Sequence, residues 1–213
     1  MADSLFNPLD LPEDAVRARR PPFDAMTMAL HWATVILVLL MFTTAWLHGQ
    51  AEVRQSDYTP ILIWMHRSLG ITVWIVTAFR LTWRLTGAKL PPFPDTMSWR
   101  HRTIVKTSEY ALYALLLVQP VTGLLTSLFN GHPFPLFFWD VTPPPRDVPL
   151  RDVLYAVHAY GARALGLLAL GHAGAALVHH FVLRDDVLIC MAPVVAETPP
   201  GRVTAGLSAP PSP

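Results

Sequence analysis

Charge is scarce in this chain. Of its 213 residues, 15% are Asp, Glu, Lys or Arg and 52% are hydrophobic, and the mean hydropathy is +0.36. An ordinary soluble domain carries about 25% charged residues, so the shortfall points to lipid as the solvent. Cysteine is almost missing as well. The lone Cys190 rules out an intramolecular disulfide and reads as an inert residue beyond the last apolar run. No segment has the form of a cleaved signal peptide, because the first apolar run follows a long, charged, proline-containing leader and is too long for a signal core. It is expected to stay as a membrane span. No internal repeat is visible, and no nucleic-acid partner is expected.

What the chain does have is four apolar runs, at 27–47, 61–85, 110–129 and 154–183. Crossing the hydrocarbon core takes roughly 20 residues of helix. Stretches such as "VILVLLMFTTAWL" and "ALGLLALGHAGAALV" have no polar face to turn towards water, and backbone groups in lipid must bond within their own segment. The expected fold class is all-α, an integral membrane four-helix bundle. The expected organisation is a flexible cytoplasmic leader over 1–23, a four-span membrane domain over 24–193 and a disordered proline-rich cytoplasmic tail over 194–213.

Lys and Arg in the short flanks set orientation. Ten fall on one side: Arg17, Arg19, Arg20, Arg84, Lys89, Arg100, Arg102, Lys106, Arg184 and Arg202. Three, Arg54, Arg146 and Arg151, fall on the other. Both termini are therefore expected in the cytoplasm. Trp32, Trp46, Trp64 and Tyr110 lie near predicted span ends, where an aromatic belt is expected. The connection "NGHPFPLFFWDVTPPPRDVPLRD" reads as a lid on the outer interface.

The chain has nine histidines. His101 and His132 fall in connections, where a solvated surface position is expected, and His48 lies at the outer end of the first span. The other six, His31, His66, His158, His172, His179 and His180, lie within or at the edge of spans, where an ionisable residue is costly and points to function. Steps of 14 residues from His158 to His172 and 7 to His179 miss whole helical turns by only ~40° and ~20°. All three share one stripe, interleaved with Gly161, Ala162, Leu165, Ala169, Ala175 and Ala176. These small residues leave room for something flat and wide, and they equally suit tight helix packing.

Depth supplies partners. Alternating spans set His66 beside His158 near the outer surface and His31 beside His172 towards the inside, with His158 and His172 about 21 Å apart along the helix. Two stacked bis-histidine sites suit two b-type haems, whose iron accepts axial imidazole. The absence of a C-x-x-C-H motif excludes covalently attached c-type haem. The third span has no histidine and is expected to serve as packing or as a wall. Arg80 follows His66 by the same 14 residues and could hold a haem propionate; the position also suits snorkelling to the surface. Arg163 points away from the histidine stripe and has no assigned role.

The stretches "ALHW", "MHRSLGITVWIVTAFRLTWR" and "HAYGARALGLLALGHAGAALVHHFVLRDDVLICMAP" resemble the bacterial cytochrome b561 family over residues 24–193. The resemblance implies a four-helix protein with two haem b, whose iron is held by His31, His66, His158 and His172. It also implies electron exchange with ubiquinone. Some members of the family are superoxide oxidases, and related bundles anchor dehydrogenases or hydrogenases, which would make a redox protein a partner beside quinone, haem and membrane lipid. His179 falls where the family places a histidine close to the quinone. An imidazole there can give a proton to a reduced quinone, or it can simply cap the helix end at the interface. His180 points elsewhere and is expected at the surface.

The leading expectation is thus a di-haem electron carrier between an outer donor and the quinone pool, with superoxide:ubiquinone oxidoreductase activity as one form. An anionic donor favours a positive outer funnel. The outer side offers Arg54, Arg67, Arg146 and Arg151 against Glu52, Asp57, Asp140, Asp147 and Asp152, and Arg67, adjacent to His66, is the well-placed one. A histidine-based transporter or proton channel would need broken helices around a cavity, for which Gln119–Pro120 is the main candidate. A haem-free anchor would leave the histidine depths unexplained.

Overall fold

The computed structural model describes residues 23–93, 97–184 and 187–192. The expected leader, apart from Phe23, and the expected proline-rich tail lie outside these residues. Four helices, α1 (Ala25–Val53), α2 (Thr59–Thr86), α3 (Trp99–Leu128) and α4 (Val148–Phe181), are each long and apolar enough to cross a bilayer. A hairpin of β1 (Phe134–Leu136) and β2 (Trp139–Val141) links α3 to α4, and a short α5 (Val187–Met191) follows.

The helix starts are chemically marked. Asp24, Ser98 and Asp147 accept the N–H groups of Thr27, His101 and Leu150, meeting donors that the first turn leaves unpaired. Pro60 and Pro149 occupy first-turn positions, where a missing N–H costs nothing. Asp24 also accepts from the Thr27 hydroxyl, the Trp83 indole and the Lys89 N–H, tying α1 to the end of α2. Partial burial alone would raise its pKa, but these bonds to the charged form outweigh it and hold the carboxyl down at about 2.

The helices follow one another up and down, α1 against α2, α2 against α3 and α3 against α4. We call the end where α1 and α3 begin the lower end and the end carrying the hairpin the upper end. Contact between α4 and α1 is slight; at mid-height a Cβ built on Gly166 would lie 3.3 Å from Phe42. Val73, Leu116 and Leu165, flanked by Leu37, Val38 and Met41, form the apolar core at that same height. Leu39, Trp46, Leu167 and Leu170 stay exposed on the outside, as lipid contact requires.

The hairpin pairs Phe134 with Val141 and Leu136 with Trp139. Its turn residue Phe137 has φ of 51°, a left-handed conformation that a bulky residue adopts at a cost. Helix α2 holds it there: Ser68 Oγ accepts the Phe137 N–H at 3.0 Å, and the Trp64 indole donates to the Phe137 carbonyl at 2.9 Å. The expected lid is thus a small sheet fastened to α2, with Phe138 94% exposed at its tip.

Helix α3 begins at Trp99, eleven residues before the expected span. Apolarity marks the lipid-crossing part, whereas the Ser98 cap starts two polar turns carrying Arg100, Arg102 and Lys106. Cys190 is buried within α5. Its carbonyl accepts from Phe23 N–H at 3.1 Å and the Met191 carbonyl accepts from the Trp32 indole at 2.9 Å, so the segment after α4 folds back onto the start of α1.

Candidate functional site

The structure brings together the histidines that depth pairs. His66 on α2 faces His158 on α4 with ring centroids 6.3 Å apart and planes at 89°. His31 on α1 faces His172 on α4, also at 6.3 Å, with planes at 57°. The apolar core of Val73, Leu116 and Leu165 lies between the two pairs. Around His172 the surface of α4 is open, since a Cβ built on Gly171 or Gly174 would meet no atom within 4 Å.

Hydrogen bonds assign the upper tautomers. His158 Nδ1 lies 3.0 Å from the Gln119 carbonyl oxygen, which can only accept, so Nδ1 carries the proton and Nε2 is left with its lone pair. Thr122 Oγ1 is a second neighbour at 3.2 Å. His66 Nδ1 lies 3.2 Å from Thr44 Oγ1, whose own hydrogen goes to the carbonyls of Leu40 or Met41. The Thr44 oxygen therefore accepts from His66, and that ring too keeps Nε2 bare. Both upper imidazoles are in the form that binds a metal.

Helix α3 is therefore more than a wall, which corrects the expectation drawn from its lack of histidine. The Gln119 carbonyl reaches His158 directly, and Gly123 makes the approach possible: a Cβ there would lie 2.8 Å from His158 Cε1. A backbone carbonyl leaves no mark on the side-chain pattern, so sequence spacing could not reveal it.

The lower pair differs. Arg80 does not snorkel; its Nη2 lies 2.9 Å from His31 Nδ1, and its guanidinium stands 5.3 Å from the Tyr113 ring centroid. A guanidinium has only donors, so Nδ1 of His31 is here the acceptor and the neutral ring carries its proton on Nε2. Beyond this pair, His179 is buried at 6% exposure, and its Nε2 lies 3.3 Å from Nε2 of His101. His101 is half-buried against His179 rather than solvated as expected. The two are 78 residues apart in sequence, and His101 falls outside the apolar runs, which hid the pairing. His180 packs edge-on against Phe181, and Arg163 lies over the ring of Tyr160.

The family model for prokaryotic cytochrome b561 matches residues 22–193. The chain belongs to that family. It is similar to cytochrome b561 homolog 2 of Escherichia coli K12, 28% identical over 179 residues that cover 78% of this chain and 88% of the relative. Cytochrome b561 homolog 1 of the same organism is 25% identical over 174 residues, covering 80% and 97%. A probable superoxide oxidase of Yersinia pestis is 25% identical over 173 residues, covering 80% and 96%. A prokaryotic cytochrome b561 with four apolar helices is a multi-pass bacterial membrane protein that binds b-type haem and carries electrons.

Proposed function

We propose that this cytochrome b561 holds two haem b groups, one between His66 and His158 and one between His31 and His172. Electrons would run between a donor at the upper, periplasmic end and ubiquinone at the lower, cytoplasmic end. The observation that carries this reading is the common 6.3 Å separation of the paired rings. A metal–imidazole bond is about 2 Å and the ring centre lies about 1 Å behind the nitrogen, so rings with centroids roughly 6 Å apart could both hold one metal ion. Among the described residues, three buried side-chain polar atoms, Thr77 Oγ1, Gln119 Oε1 and Arg151 Nε, have no protein hydrogen-bond partner, and the first two lie towards the middle of the bundle. Such atoms cost about 1–3 kcal/mol each, so they favour a polar non-protein neighbour.

Haem, when bound, supplies one-electron redox chemistry. The residues of the chain position and tune it. Thr44 and the Gln119 carbonyl fix the upper rings with Nε2 available. At the lower pair, His31 would offer Nε2 once Arg80 lets go of Nδ1 and the ring proton moves from Nε2 to Nδ1, and the guanidinium would then be free to take an anion such as a propionate in a bidentate contact. The apolar core insulates one pair from the other. His179, at the edge of the membrane beside the lower pair, gives protons to the reduced quinone.

Superoxide is the donor that one observation favours. Arg67, next to His66, is held at the upper end by a bond to Ser127 Oγ at 3.1 Å and by the Phe134 ring at 4.7 Å, a cation fixed where an anionic substrate would arrive. The name of the Yersinia pestis relative, a probable superoxide oxidase, supports the same donor. The experiment is to feed enzymatically generated superoxide to oxidised, haem-loaded protein and then add ubiquinone. Reduction followed by reoxidation supports the reading. Protein reduced by superoxide but inert to ubiquinone would overturn the quinone half, and protein inert to superoxide but reactive with quinol would overturn the donor.

A further inference from the structure

We infer that His101 and His179 form a proton relay for quinone reduction, with His101 as the residue through which protons enter from water. The inference rests on the proposed quinone site at His179. Their Nε2 atoms lie 3.3 Å apart, with ring centroids at 5.1 Å. Two facing ring nitrogens bond only when one carries a proton and the other does not, so a bond between them sets one proton between the two rings. His179 is buried in the last turn of α4, whereas His101 is half-buried in the first turn of α3, where Ser98 Oγ accepts its backbone N–H at 3.3 Å. The pair thus joins an interior group to one that reaches solvent.

Among the described residues around this end, imidazole is the side chain best suited to carry a proton near neutrality. On α3, Arg100 lies over Trp99, Arg102 donates to the Met97 carbonyl and lies over Phe93, and Lys106 also faces Phe93. On α4 and just beyond it are His180 and Arg184, and from α2 Arg84 pairs with Glu109 at 2.6 Å. Asp24, before α1, is bonded to Thr27, Trp83 and Lys89. Arg and Lys keep their protons near neutrality, while imidazole both gives and regains one. Each ubiquinone takes two electrons from reduced haem and two protons to become ubiquinol. For each proton, an N–H bond of His179 breaks as a quinol O–H bond forms. The Nε2 proton of His101 crosses to Nε2 of His179 as Nδ1 of His101 takes a proton from hydronium, or from water that leaves as hydroxide, and both rings turn over before the second transfer.

The test uses full-length, haem-loaded protein, chemically reduced and mixed with a short-chain ubiquinone across a range of pH, while haem reoxidation is followed by absorbance. His101→Gln can still hold His179 by a hydrogen bond but cannot pass a proton on. It is expected to slow reoxidation by on the order of a hundredfold, most at alkaline pH, with the haem spectrum and reoxidation by ferricyanide unchanged. Added imidazole should restore the rate of His101→Ala. If both His101 variants match the wild type at every pH while His179→Ala is slow, the relay is wrong and the quinone site stands. If His179→Ala also matches the wild type, the quinone site is wrong and the relay falls with it.

Discussion

The Nδ1 atom of His158 lies 3.0 Å from the carbonyl oxygen of Gln119, across the interface between α4 and α3 and one residue before Pro120. The ring comes this close because position 123 is glycine, whose absent Cβ would lie 2.8 Å from Cε1 and 3.1 Å from Nδ1 of His158. Gly123→Ala is therefore expected to push the ring off its acceptor at a cost of about 1–3 kcal/mol, the usual penalty for overpacking. Spectra should show the upper haem altered or lost with the lower one kept.

Thr44 holds His66 in the same way, at 3.2 Å. Thr44→Val keeps the shape and removes the acceptor. Losing such a supporting bond typically weakens metal binding by about ten- to a hundredfold, and haem titration of the apoprotein would measure it at the upper site.

Arg80, 2.9 Å from His31 Nδ1, keeps a positive charge beside the lower pair. A nearby cation disfavours the oxidised, more positive iron, so Arg80→Leu should lower the midpoint potential of the lower haem. The drop should be on the order of tens of millivolts, with the upper haem little changed. Potentiometric titration with optical readout separates the two.

The Asp24 carboxyl links α1 to α2 and Lys89, and its folded pKa of about 2 lies below the ordinary carboxyl value of 3.8. A depressed carboxyl stabilises the fold fully above its unfolded pKa, and that contribution is lost as pH falls through the folded one. Asp24→Ala should cost about 1 kcal/mol as a lost helix cap. The difference in thermal stability from wild type should be full at neutral pH and shrink as pH is lowered towards 2.

Much of this arrangement is legible in the sequence because membranes impose a coarse rule. Four apolar runs give four helices, and alternating direction then gives each histidine a depth, which is why His31 and His172, or His66 and His158, can be paired by spacing and direction alone. The periodicity of α4 works for the same reason. What escapes is whatever rests on the backbone or lies outside the lipid. The Gln119 carbonyl has no residue-type signature, and the Gly123 notch is one glycine among 11. His101 sits in the polar first turn of α3, beyond any apolar run. The direction of the Arg80 side chain is decided by His31 and Tyr113, neither of which is near it in sequence.

The central claim is that the chain holds two haems, each between one facing pair. The most direct measurement is the haem-to-protein ratio of purified full-length protein, made with ample haem, for the wild type and for His158→Ala. Two haems per chain in the wild type and one in the variant, with the spectrum of the lower haem retained, is the expected result. A wild type with one haem or none, or a variant that still holds two, would contradict it.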